Sequence, residues 1–159
     1  FYKENEHFLN DILGHILRNS LDHSIEDENE RSHNNKNIFG TINIRMRHEK
    51  PSLVLEIDDD GRGLFMEGIR EKAVRDGLID AGESNPNRIA SSIFVPGFST
   101  RRNASEISGR GIGMDAVSEF IRQKGGTMEI VLRNDRGNDR YVPFSLKISL
   151  PESMVFVET

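Results

Sequence analysis

The sequence predicts an α/β protein built as a two-layer α/β sandwich, with helices on one face of a mixed, mostly antiparallel sheet. Helical segments alternate along the chain with pairs of strand-like segments. Short turns separate the strands of a pair, and such hairpins pair antiparallel, which disfavours a doubly wound parallel sheet. Because no repeat or interdomain linker is visible, residues 1–159 are expected to form one domain.

The individual elements follow from hydrophobic periodicity. Apolar residues at three- and four-residue intervals indicate helices, whereas strict alternation indicates half-buried strands. Ile44 and Met46 in the first strand and Phe120 in the last helix are expected to face the core. The polar residues 27–37 predict a loop or a short irregular helix. Helices are predicted over residues 8–25, 66–75, 87–95 and 114–124, and strands over residues 41–47, 53–57, 128–132 and 144–150.

Residues 96–113 are rich in Gly, Ser and Arg and have few apolar side chains. A segment with so few potential packing contacts is expected to be mobile. Phe94 and Phe98 are expected to anchor it by packing against the rest of the domain.

Composition excludes several classes of protein. The net charge of −5 argues against a general binder of nucleic acid or of anionic membranes. The absence of cysteine excludes disulfides and thiolate metal sites, and it fits a cytoplasmic protein. No apolar stretch approaches the roughly 20 residues of a membrane span, so membrane insertion is not expected. Since the chain opens on Phe1 rather than Met, it is expected to be a fragment of a longer protein.

A polar stripe is predicted along one side of the first helix. Its members are spaced three, four or seven residues apart, which places them on one face of a helix. A solvated helix edge is the alternative, but glycine loops downstream favour a ligand site. Arg18 is expected to point toward solvent. The stripe consists of His15, Asn19, Asp22, His23 and Glu26.

Two glycine-rich loops accompany this helix. The first, residues 58–63, reads Asp-Asp-Asp-Gly-Arg-Gly, and its glycines would let the backbone approach a ligand closely. The second, residues 109–114, opens the helix that begins near Met114, where free N–H groups and the helix dipole favour a phosphate. Nearby arginines could contact that phosphate or could simply be solvated; they are Arg101, Arg102 and Arg110.

Calcium binding at the first loop is an alternative, because several acidic residues fall on EF-hand positions. Two features argue against it. Gly63 stands where an EF-hand has a branched apolar residue, and the preceding segment alternates as a strand where an EF-hand requires a helix. The acidic residues and glycine in question are Glu56, Asp58, Asp60, Gly61 and Glu67.

In this order, the helix and the two loops resemble the ATP-binding pocket of the GHKL superfamily (the Bergerat fold), which includes DNA gyrase, MutL, heat-shock chaperones and histidine kinases. The run His-Ile-Leu-Arg-Asn-Ser-Leu-Asp-His-Ser-Ile-Glu, residues 15–26, resembles the catalytic domain of CheA-type chemotaxis histidine kinases. Pro-Gly-Phe-Ser-Thr, residues 96–100, is similar to the CheA segment that leads into its ATP lid. The resemblance covers most of the chain.

The resemblance implies binding of ATP and Mg²⁺, with a flexible ATP lid. It assigns Mg²⁺ binding to Asn19 and recognition of the adenine amine to Asp59, while Asp58 and Asp60 are expected to point elsewhere. Catalytic roles are expected for His15, Asn19 and His23. Nucleotide binding is expected of Asn19, Asp22, Asp59, Gly61, Gly63, Ser99, Thr100, Gly109, Arg110, Gly111, Ile112, Gly113 and Met114.

Two positions depart from the family pattern. Ser24 replaces a glycine that is common after Asp-His in CheA-like helices. The final turn, residues 134–140, lacks a Gly-Thr pair whose threonine supports the adenine-binding aspartate in family members. Lower nucleotide affinity is therefore expected.

The resemblance further implies a histidine kinase catalytic domain of two-component, chemotaxis-like signalling. ATPase relatives carry a glutamate base one helical turn before the metal-binding asparagine, whereas this chain has His15 there. A strong base would activate water and waste ATP, so His15 favours phosphoryl transfer to a protein. Expected partners are a histidine phosphotransfer domain, a response regulator, and dimerisation and receptor-coupling domains of the same longer protein. The alternatives are a gyrase- or MutL-like conformational ATPase and a degenerate, non-catalytic nucleotide-binding module.

Overall fold

The computed structural model describes residues 3–98, 113–133 and 140–154. The helices are α1 (Lys3–Asn19), α2 (Glu28–His33), α3 (Met66–Arg75), α4 (Pro86–Ser91) and α5 (Met114–Gln123). The strands are β1 (Ile42–Glu49), β2 (Ser52–Asp59), β3 (Leu64–Phe65), β4 (Thr127–Leu132), β5 (Tyr141–Val142) and β6 (Phe144–Pro151). A π-helical turn, Ser20–Ser24, continues α1, and 3₁₀ turns follow α4 (Ser92–Phe94) and β6 (Glu152–Met154).

Four of the strands form one sheet in the order β1-β2-β6-β4, and every described strand pair is antiparallel. Within this sheet β2 lies between β1 and β6, so both of its edges are paired. The register sets Ile57 of β2 opposite Leu146 of β6 and carries Asp59 to the end of the strand. The first glycine-rich loop, residues 58–63, which we also call the acidic loop, therefore leaves the sheet from a strand that is paired on both edges.

A single layer of helices covers one face of the sheet, which confirms the two-layer α/β sandwich. Alternate residues of β2 and β6 point into this layer and are almost fully buried, as are Ile16 of α1 and Val117 and Ile121 of α5. Burial of this apolar surface is the main stabilising contribution to the fold. The buried core side chains of the two central strands are Leu53, Leu55, Ile57, Leu146, Ile148 and Leu150.

The structure corrects four details of the sequence prediction. The first helix loses α-helical hydrogen bonding after Asn19 and continues as the π-turn. Ile44 and Met46 lie on the edge strand β1 and are 46% and 53% exposed, so they do not face the core as expected. Phe120 does not face inward and is 42% exposed. The short sheet formed by β3 and β5 was not predicted, since two-residue strands carry no periodic signal.

Contacts on both sides of residues 99–112 hold the neighbouring chain in place. The N–H of Gly97 donates to Oδ2 of Asp115 in α5 at 3.1 Å. Phe98 is buried in a second small core with α3 and α4, and Phe94 packs against the main core, as expected. The predicted mobility of the segment concerns residues that lie mostly outside the described ranges.

Among the helices that the structure describes, none combines the length and the apolar composition needed to cross a membrane.

Adjacent residues of α5 provide a test of the packing. Ile121 is fully buried, so Ile121→Ala is expected to lower the free energy of unfolding by about 2–5 kcal/mol, through lost burial and the cavity left behind. The neighbouring Phe120→Ala is expected to lower it by at most about 1 kcal/mol, because Phe120 is partly exposed. Urea unfolding of both variants measures the difference. Equal losses would contradict the orientation of α5 described above.

Candidate functional site

The first glycine loop, residues 58–63, contains Asp59, whose carboxylate is held by two neighbours. The hydroxyl of Ser24 donates to Oδ1 at 2.6 Å, and the N–H of Gly61 donates to the same oxygen at 3.0 Å. Within the described residues, no hydrogen bond reaches Oδ2 of Asp59. One carboxylate oxygen is therefore used for positioning, and the other is available to a ligand donor.

Close backbone contacts explain both glycines of this loop. A Cβ on Gly61 would lie 2.4 Å from the carbonyl oxygen of Ser24, and one on Gly63 would lie 2.5 Å from that of Val142. Gly63 also has φ of +83°, a conformation that side chains disfavour. The glycines thus bring the loop against the π-turn on one side and against β5 on the other.

Asn19, at the end of α1, faces the start of α5. Its amide nitrogen donates to the thioether sulfur of Met114 at 3.1 Å. Because a thioether can only accept, the nitrogen must face Met114, and the amide oxygen is directed away from the sulfur. This contact links the predicted metal ligand to the first residue of the helix that follows the second glycine loop.

The remaining members of the predicted stripe do not stay on one helical face. His15 is half buried one turn before Asn19, within regular α-helix. Asp22 and His23 are exposed and lie in the π-turn, where the α-helical spacing no longer holds. Arg18 is exposed, as expected. A π-turn in a helix next to a candidate site is a frequent feature of functional sites.

Glu26 was predicted to line the site, and this is wrong. It follows the π-turn and is 5% exposed, and its carboxylate accepts from Arg31 at 3.1 Å and from Lys36 at 2.6 Å. Arg31, itself 1% exposed, also donates to Oδ2 of Asp60 at 2.8 Å. Lys36 donates to the carbonyl oxygens of Asp60 and Gly61. We call Glu26, Arg31, Lys36 and Asp60 the acidic-loop clamp, because these contacts hold the acidic loop in place.

Asp60 is ionised and held by this clamp. Burial acts to raise its pKa, but the hydrogen bond from Arg31, the backbone N–H of Thr41 and the charges of Arg31 and Lys36 together hold that pKa below its usual value. Reciprocally, the hydrogen bond to Asp60 raises the pKa of Arg31. The pair therefore stays charged across the physiological range.

Asp58 points to the opposite face of the sheet, as expected from strand alternation. Its buried carboxylate accepts from Asn43 at 3.0 Å and from Arg133 at 3.1 Å, and it also pairs with Arg45. Arg133 donates further to the carbonyl oxygen of Asp59. With Asp58 and Asp60 both committed to arginines and an antiparallel strand preceding the loop, an EF-hand is excluded.

The described residues bring part of the predicted site together. The helix end that carries Asn19 and Ser24 contacts both the first glycine loop and the start of α5, where Gly113 and Met114 lie. The other predicted residues of the lid and second loop lie outside the described residues: Ser99, Thr100, Arg101, Arg102, Gly109, Arg110, Gly111 and Ile112.

Sequence reasoning missed the role of Ser24 and of helix α2. Asp27 caps α2 by accepting from the N–H of Glu30 at 2.9 Å, and Asp-x-x-Glu is a recognisable signal of a helix start. That signal could have located the helix that carries Arg31. The contact between Ser24 and Asp59 joins residues distant in sequence and had no local signal.

No group of three or more His, Asp or Glu side chains arranged for a metal occurs in the part of the chain that the structure describes. Mg²⁺ usually keeps several waters and takes one or two protein oxygens together with phosphate oxygens. The amide oxygen of Asn19, which is oriented away from Met114, could serve as one such protein oxygen for Mg²⁺.

Comparison with known proteins places this geometry in context. The family described as "Histidine kinase-, DNA gyrase B-, and HSP90-like ATPase" matches residues 4–152. The "Gliding motility regulatory protein" of Myxococcus xanthus is 37% identical over 151 residues, 93% of this chain and 19% of that protein. "Chemotaxis protein CheA" of Klebsiella aerogenes is 36% identical over 148 residues, 93% of this chain and 22% of that protein. The corresponding protein of Salmonella typhimurium is 35% identical over 144 residues, 91% of this chain and 22% of that protein.

The acidic-loop clamp predicts a pH-dependent stability. Since the folded-state pKa of Asp60 is depressed, its contribution is present above the unfolded-state pKa of about 4 and is lost as pH falls through the folded-state value. Asp60→Asn is therefore expected to be less stable than wild type at pH 7, with a deficit that shrinks between about pH 5 and pH 3. Urea unfolding across this range measures it, and a deficit independent of pH would contradict the ion-pair account.

Proposed function

Because the chain belongs to the family of histidine kinase-, DNA gyrase B- and HSP90-like ATPases, we propose that it binds Mg-ATP and transfers the γ-phosphoryl group to a histidine of a phosphotransfer domain. One observation carries the nucleotide part of this proposal. The Asp59 carboxylate has one oxygen fixed by Ser24 and Gly61 and a second that accepts no hydrogen bond within the described residues. An ionised carboxylate only accepts, so it selects a base with an exocyclic amine over one with an oxo group.

Asn19 supplies the other end of the proposed site. Met114 fixes its amide nitrogen, and its amide oxygen, which accepts no hydrogen bond within the described residues, would be available to a metal ion. Mg²⁺, when bound, would neutralise charge that develops on the phosphates during transfer. Gly113 is the N-cap of α5, and the N–H groups of the first helical turn, which no side chain caps within the described residues, favour an anion. Phosphates held between these groups would be positioned for transfer.

His15 supports a kinase over a vigorous ATPase. It lies one helical turn before Asn19, where hydrolytic relatives are expected to carry a glutamate base. Neutral imidazole on an acceptor protein already presents a lone pair, so transfer to histidine requires no strong base in this domain. The absence of a carboxylate at this position would limit the loss of ATP to water.

The chain spans about a fifth of the length of the curated relatives it matches. Relatives named "Chemotaxis protein CheA" support a role in chemotaxis-like two-component signalling. We propose that this domain acts in the cytoplasm with a phosphotransfer domain and a response regulator, and with dimerisation and receptor-coupling domains of the same longer protein.

Asp59→Asn tests adenine recognition. The change removes a charge-assisted hydrogen bond and presents a donor where the base also donates, so ADP binding is expected to weaken by about 10-fold to 100-fold. Calorimetric titration measures the affinity, and thermal unfolding verifies the fold. Asp76→Asn, on the surface at the end of α3, is the matched control and is expected to bind ADP normally. Unchanged affinity in Asp59→Asn would remove Asp59 from the site.

His15→Glu tests kinase against hydrolase. The substitution introduces the residue of hydrolytic relatives, and general-base assistance is worth about 10²–10⁴-fold when the carboxylate is well placed. ATP hydrolysis is expected to rise, while transfer to an added phosphotransfer domain stays constant or falls. Phosphate release and phosphorylated acceptor are measured in parallel.

Two controls accompany this variant. ADP affinity should be retained, and adding Asn19→Ala should abolish the new hydrolysis because the proposed metal ligand is lost. Rapid hydrolysis by the wild type, unaltered by His15→Glu, would favour the conformational ATPase instead.

A further inference from the structure

We propose that Ser24 is a positioning residue that orients the Asp59 carboxylate and thereby sets the preference for an amino-purine over an oxo-purine. The proposal rests on the nucleotide-binding function proposed above and adds a determinant of base specificity. Its physical basis is the hydrogen bond of 2.6 Å between the Ser24 hydroxyl and Oδ1 of Asp59.

The hydroxyl must be the donor in this hydrogen bond, because an ionised carboxylate only accepts. Bonds of this kind to a charged acceptor are shorter and stronger than neutral ones. The Gly61 N–H approaches the same oxygen at 3.0 Å from the loop itself. Two donors on Oδ1 fix the plane of the carboxylate, so Oδ2 has a defined direction.

The backbone of Ser24 is held as firmly as its hydroxyl. The carbonyl oxygen of Ser24 accepts from the N–H of Arg62 at 2.9 Å. Gly61 lies so close to the same carbonyl oxygen that a Cβ added to Gly61 would be 2.4 Å from it. Ser24 is also the last residue of the π-turn, after which the chain becomes extended at Ile25. The hydroxyl is therefore presented to Asp59 from a fixed backbone.

Loss of the hydroxyl would affect specificity more than folding. The terminal torsion of an aspartate is broad, so a carboxylate with one anchor samples more orientations than a carboxylate with two. A base that donates to Oδ2 would then lose part of its advantage in binding affinity over a base that presents an oxo group. The backbone hydrogen bond from Arg62 does not involve the serine side chain and would remain.

The experiment compares ADP with inosine diphosphate, which carries an oxo group in place of the amine. Calorimetric titrations are made on the wild type, Ser24→Ala and Ser24→Thr, with Ser91→Ala as the matched control. Ser91 donates its hydroxyl to the carbonyl oxygen of Asn87 within α4 and takes no part in the proposed site. Thermal unfolding of each variant accompanies the titrations.

The wild type is expected to prefer ADP. In Ser24→Ala, ADP is expected to bind about 3- to 10-fold more weakly, with inosine diphosphate changed by less than about 2-fold, so the preference falls. Ser24→Thr keeps a hydroxyl and should restore the preference, and Ser91→Ala should behave as wild type. If Ser24→Ala does not fold, Ser24→Cys, with a weaker donor of similar size, should show a partial loss of preference.

Two results would overturn the inference while leaving the proposed function intact. Equal weakening of both nucleotides in Ser24→Ala would mean that Ser24 is merely structural, and unchanged affinity for both nucleotides would mean that Gly61 alone orients Asp59. If the wild type bound neither nucleotide, the proposed function would fail and the inference with it.

Discussion

The geometry of the candidate site depends on the ion pairs that the buried guanidinium of Arg31 makes with Glu26 and Asp60. Arg31 is 1% exposed and contacts Glu26 after the π-turn and Asp60 in the acidic loop. A charge removed from water is stable only when its partners satisfy it, and removal of one partner is costly. Lys36 adds hydrogen bonds to the carbonyl oxygens of Asp60 and Gly61. The clamp therefore joins two chain segments that share no strand pairing.

The position of Asp59 follows from this constraint. With Asp60 held from one side and Asp58 held by Arg133 from the other face of the sheet, the intervening residue has little freedom. Ser24 and Gly61 then fix its carboxylate. Three consecutive acidic residues thus serve different purposes: the outer two hold the strand end in place, and the central one remains partly available to a ligand.

Local sequence predicted the regular elements, and the family resemblance singled out Asp59 as a candidate site residue, but neither predicted the tertiary contacts. Periodicity located the helices and the longer strands because burial on one face repeats along a regular element. It failed for Glu26, since the π-turn changes the angular spacing after Asn19. It also failed for Met46 and Phe120, because apolar spacing does not show whether another layer covers that position. The partnership of Ser24 with Asp59 depended on the folded chain path.

The edge strand β1 has a consequence for the behaviour of the isolated domain. Its outer backbone edge is unpaired within the described residues, and Ile44 and Met46 are exposed beside it. Exposed apolar edges are templates for pairing with other chains, and charged side chains on such strands oppose it. Here Arg45 and Arg47 alternate with the apolar residues. Arg45 pairs with Asp58, and Arg47 pairs with Glu49 and Glu56, so the positive charge at this edge is compensated. Opposition to pairing with another chain would then come from the cost of removing these ion pairs from water rather than from repulsion between like charges.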